Sequence, residues 1–377
     1  MKLLTSLLLA GSTLAIAAPQ NPNHYESIRQ EIRQSIARGN DWLKSRQNPD
    51  GFWDDAQLPA FTALALNAAV RDPNLDRSAP FPAHIEKGYT WLLAQQKEDG
   101  GIYNRGLSVY NTATAVTALM ATGRKDFEPA VVKARKHLID NQWDTDDANK
   151  GGIGYGSNNT HTDLSNTYLA IEAIALSRKV VEDGNFGEQP ELDWEAAIKF
   201  LSRCQNLEET NDREWASNDP KNKGGFAYSP FESKAGEEKN PEGRTALRSY
   251  GSMSYAGLLS MIYAKLSADD PRVTAVKEWL GKNYTLDENP GMGAQGLYYY
   301  YQTMAKALSA ANIGMLKLDD GGQADWRNDL GSKLLAAQRE DGSWVNTNGR
   351  WMESNPVLVT AFTVLTLAQV YDSIPER

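Results

Sequence analysis

The sequence is poor in the residues that build disulfide frameworks and metal sites. It has one cysteine, Cys204, and four histidines in 377 residues. A single cysteine excludes an internal disulfide and any multi-cysteine metal cage. His24, His84, His137 and His161 show no paired spacing, and zinc needs a complete set of N, O or S ligands. No metal and no cofactor are therefore expected. Positive charge is also in deficit: 39 Lys and Arg against 48 Asp and Glu give a formal net charge of −9, with no long basic run. This excludes a nucleic-acid partner, whose phosphates require clustered positive charge. Past the N-terminus no apolar run reaches the roughly 20 residues that span a bilayer, so no stable membrane insertion is expected. The hydrophobic content of 41% with 23% charged residues describes a globular chain and not a disordered one.

The N-terminus reads Met1-Lys2, then an apolar stretch from Leu3 to Ala18, then Gln20-Asn21. One basic residue, a short apolar core and the small-x-small triplet Ala15-Ile16-Ala17 form a secretory signal over residues 1–18. The expectation is a secreted or periplasmic protein with a mature chain of 19–377. No cysteine follows the apolar stretch, which excludes a bacterial lipoprotein.

The remainder is repetitive. Trp42-Leu-Lys-Ser-Arg-Gln47-Asn-Pro-Asp-Gly51-Phe-Trp53 recurs as Trp91-Leu-Leu-Ala-Gln-Gln96-Lys-Glu-Asp-Gly100, and again as Leu334-Leu-Ala-Ala-Gln338-Arg-Glu-Asp-Gly342-Ser-Trp344. Longer versions run from His137-Leu-Ile-Asp-Asn-Gln142 to Gly151-Gly-Ile, and from Phe200-Leu-Ser-Arg-Cys-Gln205 to Gly224-Gly-Phe. A degenerate copy spans Trp279-Leu280 to Tyr284, where tyrosine replaces the glutamine. The leucines four residues before each Gln or its substitute are 49, 46, 63, 79 and 54 residues apart. Six units result, beginning near 28, 84, 130, 193, 272 and 326, with insertions in the third and fourth.

Each unit has one grammar. An amphipathic helix carrying the Trp-Leu pair stops at an Asp-Gly or Gly-Gly turn, where glycine supplies the left-handed conformation that ends a helix. An aromatic follows, and then a second helix rich in alanine and small residues. These second helices are predicted at Leu58–Val70, Tyr110–Ala121, Asp163–Leu176, Tyr250–Ala264, Leu297–Ala310 and Val357–Tyr371. Their apolar residues lie nearly all round, which marks buried helices. Alternation of amphipathic and buried helices implies an outer and an inner layer, in an all-α single domain.

The Gln-x-x-Asp-Gly-x-Trp element resembles the QW motif of squalene–hopene and oxidosqualene cyclases, shared more loosely with protein prenyltransferase β subunits. The six copies run from about Ile28 to about Tyr371. The resemblance implies an (α/α)6 barrel, or α/α toroid, with a cavity open where the inner helices start; an open superhelix of helical hairpins is the alternative.

The chemistries of that superfamily are tested on the residues. Class II terpene cyclases protonate an alkene with the central aspartate of an Asp-x-Asp-Asp-Thr motif that opens an inner helix. Asp144-Thr-Asp-Asp147 matches three aspartates, but in a loop; it reads as a solvated acidic turn. Asp163-Leu-Ser165-Asn166-Thr167 opens an inner helix in the right place, yet Ser165 and Asn166 stand where the second and third aspartates belong. Neither is a strong acid at neutral pH. Prenyltransferases hold zinc with Asp, Cys and His on two late inner helices. Alignment puts Arg248, Tyr250 and Tyr300 at those positions, so a standard zinc-dependent activity is not expected.

Positions at the starts of the inner helices form a polar-aromatic rim. The catalytic candidates are His161, Asp163, Asn166, Arg248, Tyr250 and Tyr300. Tyr110, Asn111, Tyr255, Tyr299, Trp351 and Glu353 are expected to line the cavity. Asp163 and Asn111 also read as helix caps. At most two of the consecutive tyrosines Tyr298–Tyr301 can face the lumen, because successive residues turn by about 100°. Two classes of function follow. One is a toroid of the cyclase/prenyltransferase type holding an isoprenoid or other extended ligand, whether or not it is an enzyme. Within that class a polysaccharide lyase-like variant would take a carbohydrate. The other is an extracytoplasmic binding or scaffold protein. A deep apolar cavity favours a lipid ligand, and a shallow polar groove favours sugar or peptide.

Overall fold

The computed structural model describes residues 25–156, 161–239 and 243–375; the signal sequence expected at 1–18 lies outside them. Twelve α-helices are present among the described residues, in six consecutive pairs. The outer members are α1 (Glu26–Ser45), α3 (Ala83–Leu93), α5 (Glu128–Asp140), α7 (Trp194–Cys204), α9 (Pro271–Lys282) and α11 (Trp326–Ala336). The inner members are α2 (Pro59–Val70), α4 (Ser108–Ala121), α6 (Leu164–Asp183), α8 (Gly251–Tyr263), α10 (Leu297–Ala310) and α12 (Pro356–Ser373). Every predicted inner helix forms, within a few residues of its expected ends except α6, which runs seven residues beyond Leu176.

Burial follows the two-layer pattern. In α2 the row from Pro59 to Ala68 is buried without a break, whereas α1 buries one stripe through Ile28, Ile32, Ile36 and Leu43. Each inner helix packs on the next, and α12 packs back on α2 and α1. The barrel is closed. α12 corrects one expectation: it is long and apolar enough to cross a membrane. Its place in the inner ring, with most of its length buried, accounts for that composition.

The repeated glutamine explains how the units are joined. Its side-chain amide donates to the carbonyl of the turn glycine in its own repeat and to a carbonyl of the next outer helix. Gln96 Nε2 reaches Gly100 O and Ala130 O, both at 2.9 Å, and Gln205 Nε2 reaches Gly224 O at 3.0 Å and Arg272 O at 2.9 Å. Gln47 and Gln142 repeat the pattern, their second partners, His84 and Asp193, belonging to the next unit. Gln338, in the last repeat, donates to Gly342 O and to Ser35 O of the first, both at 3.0 Å. In the degenerate repeat the Tyr284 hydroxyl spans the same seam, 3.0 Å from Asp329 Oδ2 on α11. The turn glycine is required by both conformation and space. Gly342 has φ +90°, and a Cβ there would sit 2.7 Å from Arg38 O.

A second staple lies within the repeats. The backbone N–H of the residue after the turn donates to a Thr or Ser hydroxyl on the following inner helix. The pairs are Trp53 with Thr62, Ile102 with Thr112, Ile153 with Thr167, Phe226 with Ser254 and Trp344 with Thr360, at 2.8–3.0 Å. Both tryptophans of the terminal motifs are buried, Trp42 at 7% exposure and Trp344 at 0%. Cys204 is free and buried.

Candidate functional site

The barrel encloses an upper chamber of about 330 Å3 at the end where the inner helices begin. One turn of each inner helix supplies the wall. Ala60, Phe61 and Leu64 come from α2, Tyr110 from α4, Ser165 from α6, Ser252 and Met253 from α8, Tyr299 from α10, and Leu358 and Phe362 from α12. Tyr155, Tyr228 and Tyr250 add aromatic surface from the loops. No Lys, Arg or His lines this chamber among the described residues, and Glu353 is its one acidic wall residue.

The rim has a specific local construction. Trp351 and Met352 are consecutive non-glycine residues in the left-handed region, at φ +54° and +66°. Such geometry costs roughly 1–3 kcal/mol per residue and persists only where neighbours enforce it. Glu353 does so: its carboxylate accepts from Tyr298 N at 3.3 Å, Tyr299 N at 2.8 Å and Asn346 Nδ2 at 2.7 Å. Burial raises its pKa above the usual carboxyl range despite these bonds. Trp351 and Met352 are thereby held over the chamber, 44% and 46% exposed.

Helix N-termini carry free amides and partial positive charge that commonly bind anions. Here the protein's own oxygens fill all six. Asn111 Oδ1 accepts from Ala60 N of α2 at 2.9 Å, and Asn289 Oδ1 from Ser252 N of α8 at 2.9 Å. Asp163 Oδ1 caps α6 through Asn166 N at 2.8 Å. Asn355 Oδ1 caps α12 through Val357 N at 2.9 Å, Glu353 caps α10, and Tyr155 O accepts from Val109 N of α4 at 3.1 Å.

The sequence-derived candidates divide accordingly. Tyr110, Tyr250, Tyr299, Trp351 and Glu353 line the chamber. Asn111, Tyr255 and Tyr300 do not, in contrast to expectation. Asn111 turns sideways to cap α2. Tyr255 and Tyr300 pack on each other behind the wall, ring centroids 5.7 Å apart, and the Tyr300 hydroxyl donates to Thr285 O at 2.8 Å. Of the four consecutive tyrosines only Tyr299 faces the upper chamber; Tyr298 and Tyr301 meet edge to face, with centroids 5.7 Å apart. Arg248 is half-buried and donates to Ala235 O at 3.2 Å. His161 is exposed on the loop before α6. Neither touches the chamber.

Asp163 and Asn166 are paired behind the wall, Asn166 Nδ2 donating to Asp163 Oδ1 at 3.1 Å and Oδ2 at 2.9 Å. Burial lifts the Asp163 pKa to about 6, against the lowering effect of those bonds. Its oxygens do not reach the lumen. Ser165 does: its hydroxyl lines the chamber, 3.1 Å from the Tyr299 hydroxyl. The acidic run at Asp144–Asp147 is a surface turn, with Asp147 accepting from Asn149 N and Trp143 Nε1. Among the described residues no group of three or more His, Cys, Asp or Glu side chains converges as a metal site.

A smaller lower chamber of about 40 Å3 follows along the barrel axis. Leu64, Tyr110, Tyr299 and Phe362 belong to both and form the partition. Nothing in the rim motif signalled it; its residues recur at i+3 and i+7 from the partition, as Asn67 and Arg71 on α2 and Gln302 and Lys306 on α10.

Two layers of six helices closed on themselves around an aromatic chamber define an α/α toroid. Among solved structures the chain is similar to the type II terpene cyclase MstE from Scytonema. In its complex with geranylgeranyl dihydroxybenzoate, described as the substrate, the TM-score is 0.54, with 14% identity over 92% of this chain and 99% of that one. It is also similar to a family 76 glycoside hydrolase from a bovine Bacteroides thetaiotaomicron strain, with TM-score 0.58, 10% identity, and 91% of this chain and 78% of that one covered. These likenesses are of fold. No family model matches the sequence, and no curated protein does.

Proposed function

We propose that the protein binds a neutral, extended apolar ligand of the isoprenoid type in the upper chamber and does not initiate cyclisation by protonation. The observation that carries this reading is the chamber wall: aliphatic residues and tyrosines, one hydrogen-bonded carboxylate and no cation. A diphosphate in the upper chamber would meet no positive side chain, and the six helix ends are already capped. The volume lies at the small end of the roughly 300–1,000 Å3 range of ligand pockets, which suits a slender chain. MstE, with the same fold, binds a geranylgeranyl compound.

Proton-initiated chemistry would need an acid facing the ligand. Ser165 occupies that position, and a serine hydroxyl cannot protonate an alkene. Asp163 has the raised pKa but not the access. Glycoside hydrolysis usually uses two carboxyl groups flanking the bond, about 5–9.5 Å apart; Glu353 alone faces this chamber. We also propose that the protein acts outside the cytoplasm, directed there by residues 1–18. N-terminal sequencing of the exported protein, showing a start near Pro19, tests that part.

The ligand reading is tested by titrating the protein with farnesol and geranylgeraniol, followed by tryptophan fluorescence and native mass spectrometry. Saturable one-to-one binding is expected, weakened at least about tenfold by Ala60→Phe, which fills the chamber. No binding of either, or equal binding by Ala60→Phe, overturns the reading. Product formation by the wild type from squalene or a geranylgeranyl arene would overturn the exclusion of cyclase activity.

A further inference from the structure

We propose that the lower chamber is a subsite for one terminal hydroxyl of the ligand, so that the ligand is a long-chain alcohol entering hydroxyl first. The inference rests on the reading of the upper chamber given above and adds the ligand's chemical class and orientation.

Four observations converge. The first is polarity: the upper wall is apolar and aromatic, but below the partition the lining includes Asn67, Arg71, Thr117, Glu172, Gln302 and Lys306. The second is unmet hydrogen bonding. Gln302 is 5% exposed, lines the lower chamber, and its amide makes no hydrogen bond within the described residues. Asn67, 6% exposed, accepts from Arg71 Nε at 3.1 Å through Oδ1, and its Nδ2 is unpaired. Both amides line the same small space and have hydrogen-bonding capacity there that the protein itself does not use. A primary amide offers a donor and an acceptor side by side, the complement of a hydroxyl, which donates once and accepts twice.

Charge balance is the third. Lys306 Nζ lies 2.7 Å from Glu172 Oε2 and 3.0 Å from the Tyr168 hydroxyl. Arg71, the other cation of the lower chamber, donates through Nε to Asn67 Oδ1 and lies near the Asp372 carboxylate, so both cations are already engaged and a neutral group is favoured over an anion. Size is the fourth. About 40 Å3 admits a few water-sized groups, each needing roughly 10–15 Å3 of such space. A hydroxyl with a water beside it fits; a sugar ring does not. The partition residues then grip the first carbons of the chain between Tyr110, Tyr299, Leu64 and Phe362, and the rest fills the upper chamber.

The test compares farnesol with farnesene, the hydrocarbon of the same skeleton without the hydroxyl, by competition titration of the full chain. The wild type is expected to prefer farnesol by about tenfold, one well-made hydrogen bond to an otherwise unsatisfied amide. In Gln302→Leu that preference should fall to about unity while farnesene binds at least as tightly as before. Asn67→Leu gives the same readout from a second helix if Gln302→Leu does not fold. Equal affinity of the wild type for the two compounds overturns the subsite and leaves the apolar chamber standing. A preference retained in Gln302→Leu and Asn67→Leu also overturns it, because the hydroxyl is then held elsewhere. Binding of neither compound overturns both proposals.

Discussion

Gln338→Ala should destabilise the whole ring, because this side chain fastens the last repeat to the first. Its amide donates to Ser35 O and Gly342 O at 3.0 Å, and its Oε1 accepts from the Ser35 hydroxyl at 2.9 Å and from Arg38. Ser35 is fully buried, so no solvent replaces the lost partner. Three neutral bonds at about 0.5–1.5 kcal/mol each give a loss of about 3 kcal/mol. The unfolding entropy is about 2.1 cal/mol/K per residue, or about 0.8 kcal/mol/K for a chain of this length, so Tm should fall by about 4 °C. Differential scanning calorimetry measures this directly. The transition should remain single, since a closed ring has no free end from which to unravel. Gln205→Ala, at an interior seam with the same pair of carbonyl contacts, should lower Tm to a similar extent. A Tm within about 1 °C of wild type for Gln338→Ala, with a clear drop for Gln205→Ala, would mean that the seam between first and last repeats bears no load in solution. Closure as described would then be wrong.

Other expectations concern single positions. Gly342→Ala and Gly123→Ala impose the same left-handed strain, at φ +90° and +67°, but only at Gly342 does a Cβ meet backbone, 2.7 Å from Arg38 O. Gly342→Ala should therefore cost clearly more than the ~1 kcal/mol expected at Gly123, and equal urea midpoints would contradict this. Asp163 has an ordinary carboxyl pKa of 3.8 when unfolded and about 6 when folded. The native state thus holds a proton that the unfolded chain releases, and stability declines as pH rises from about 4 to about 6, by about 3 kcal/mol. Asp163→Asn should remove that decline, measured as the wild-type-minus-variant difference in chemical denaturation; a difference independent of pH would refute the assignment.

The fold was legible because its joints are local. Trp-Leu, Gln and Asp-Gly recur at fixed offsets, and each does a job that its spacing requires: Gln bonds a turn four residues on, and Gly lets the neighbouring helix approach. The Thr/Ser staples were equally regular, at Thr62, Thr112, Thr167, Ser254 and Thr360, but hydroxyl residues in an alanine-rich helix carry no pattern that separates them from filler. The site was legible as a rim and not as a wall. Position along an inner helix places a residue near the mouth, but facing is set by rotation, and one residue is about 100°. Tyr299 thus lines the chamber while Tyr300 points away to Thr285. Trp351 and Glu353 were found because they precede α12, although their roles come from backbone strain and a reach across to α10. The lower chamber left no sequence signal, since two amides, an arginine and a lysine at i+3 and i+7 look like any polar helix face.

The segment Asp163-Leu-Ser165-Asn166-Thr167 shows how far a motif can survive the loss of its chemistry. Thr167 accepts from Ile153 N, the bond that four other repeats make with no acid nearby. Asp163 is the helix cap, bonded to Asn166 N, and Asn166 in turn spends its amide on both Asp163 oxygens. Three of the five positions are thus accounted for by folding alone. Leu164 is wholly buried, which makes four. Only Ser165 touches the chamber, hydrogen-bonded to Tyr299. Letter-matching at this helix therefore reports architecture at four positions and chemistry at one, and at that one the acid is a neutral hydroxyl. The same helix start can keep its shape under selection for stability while its chamber-facing residue is free to suit a ligand that needs a hydrogen bond and no proton.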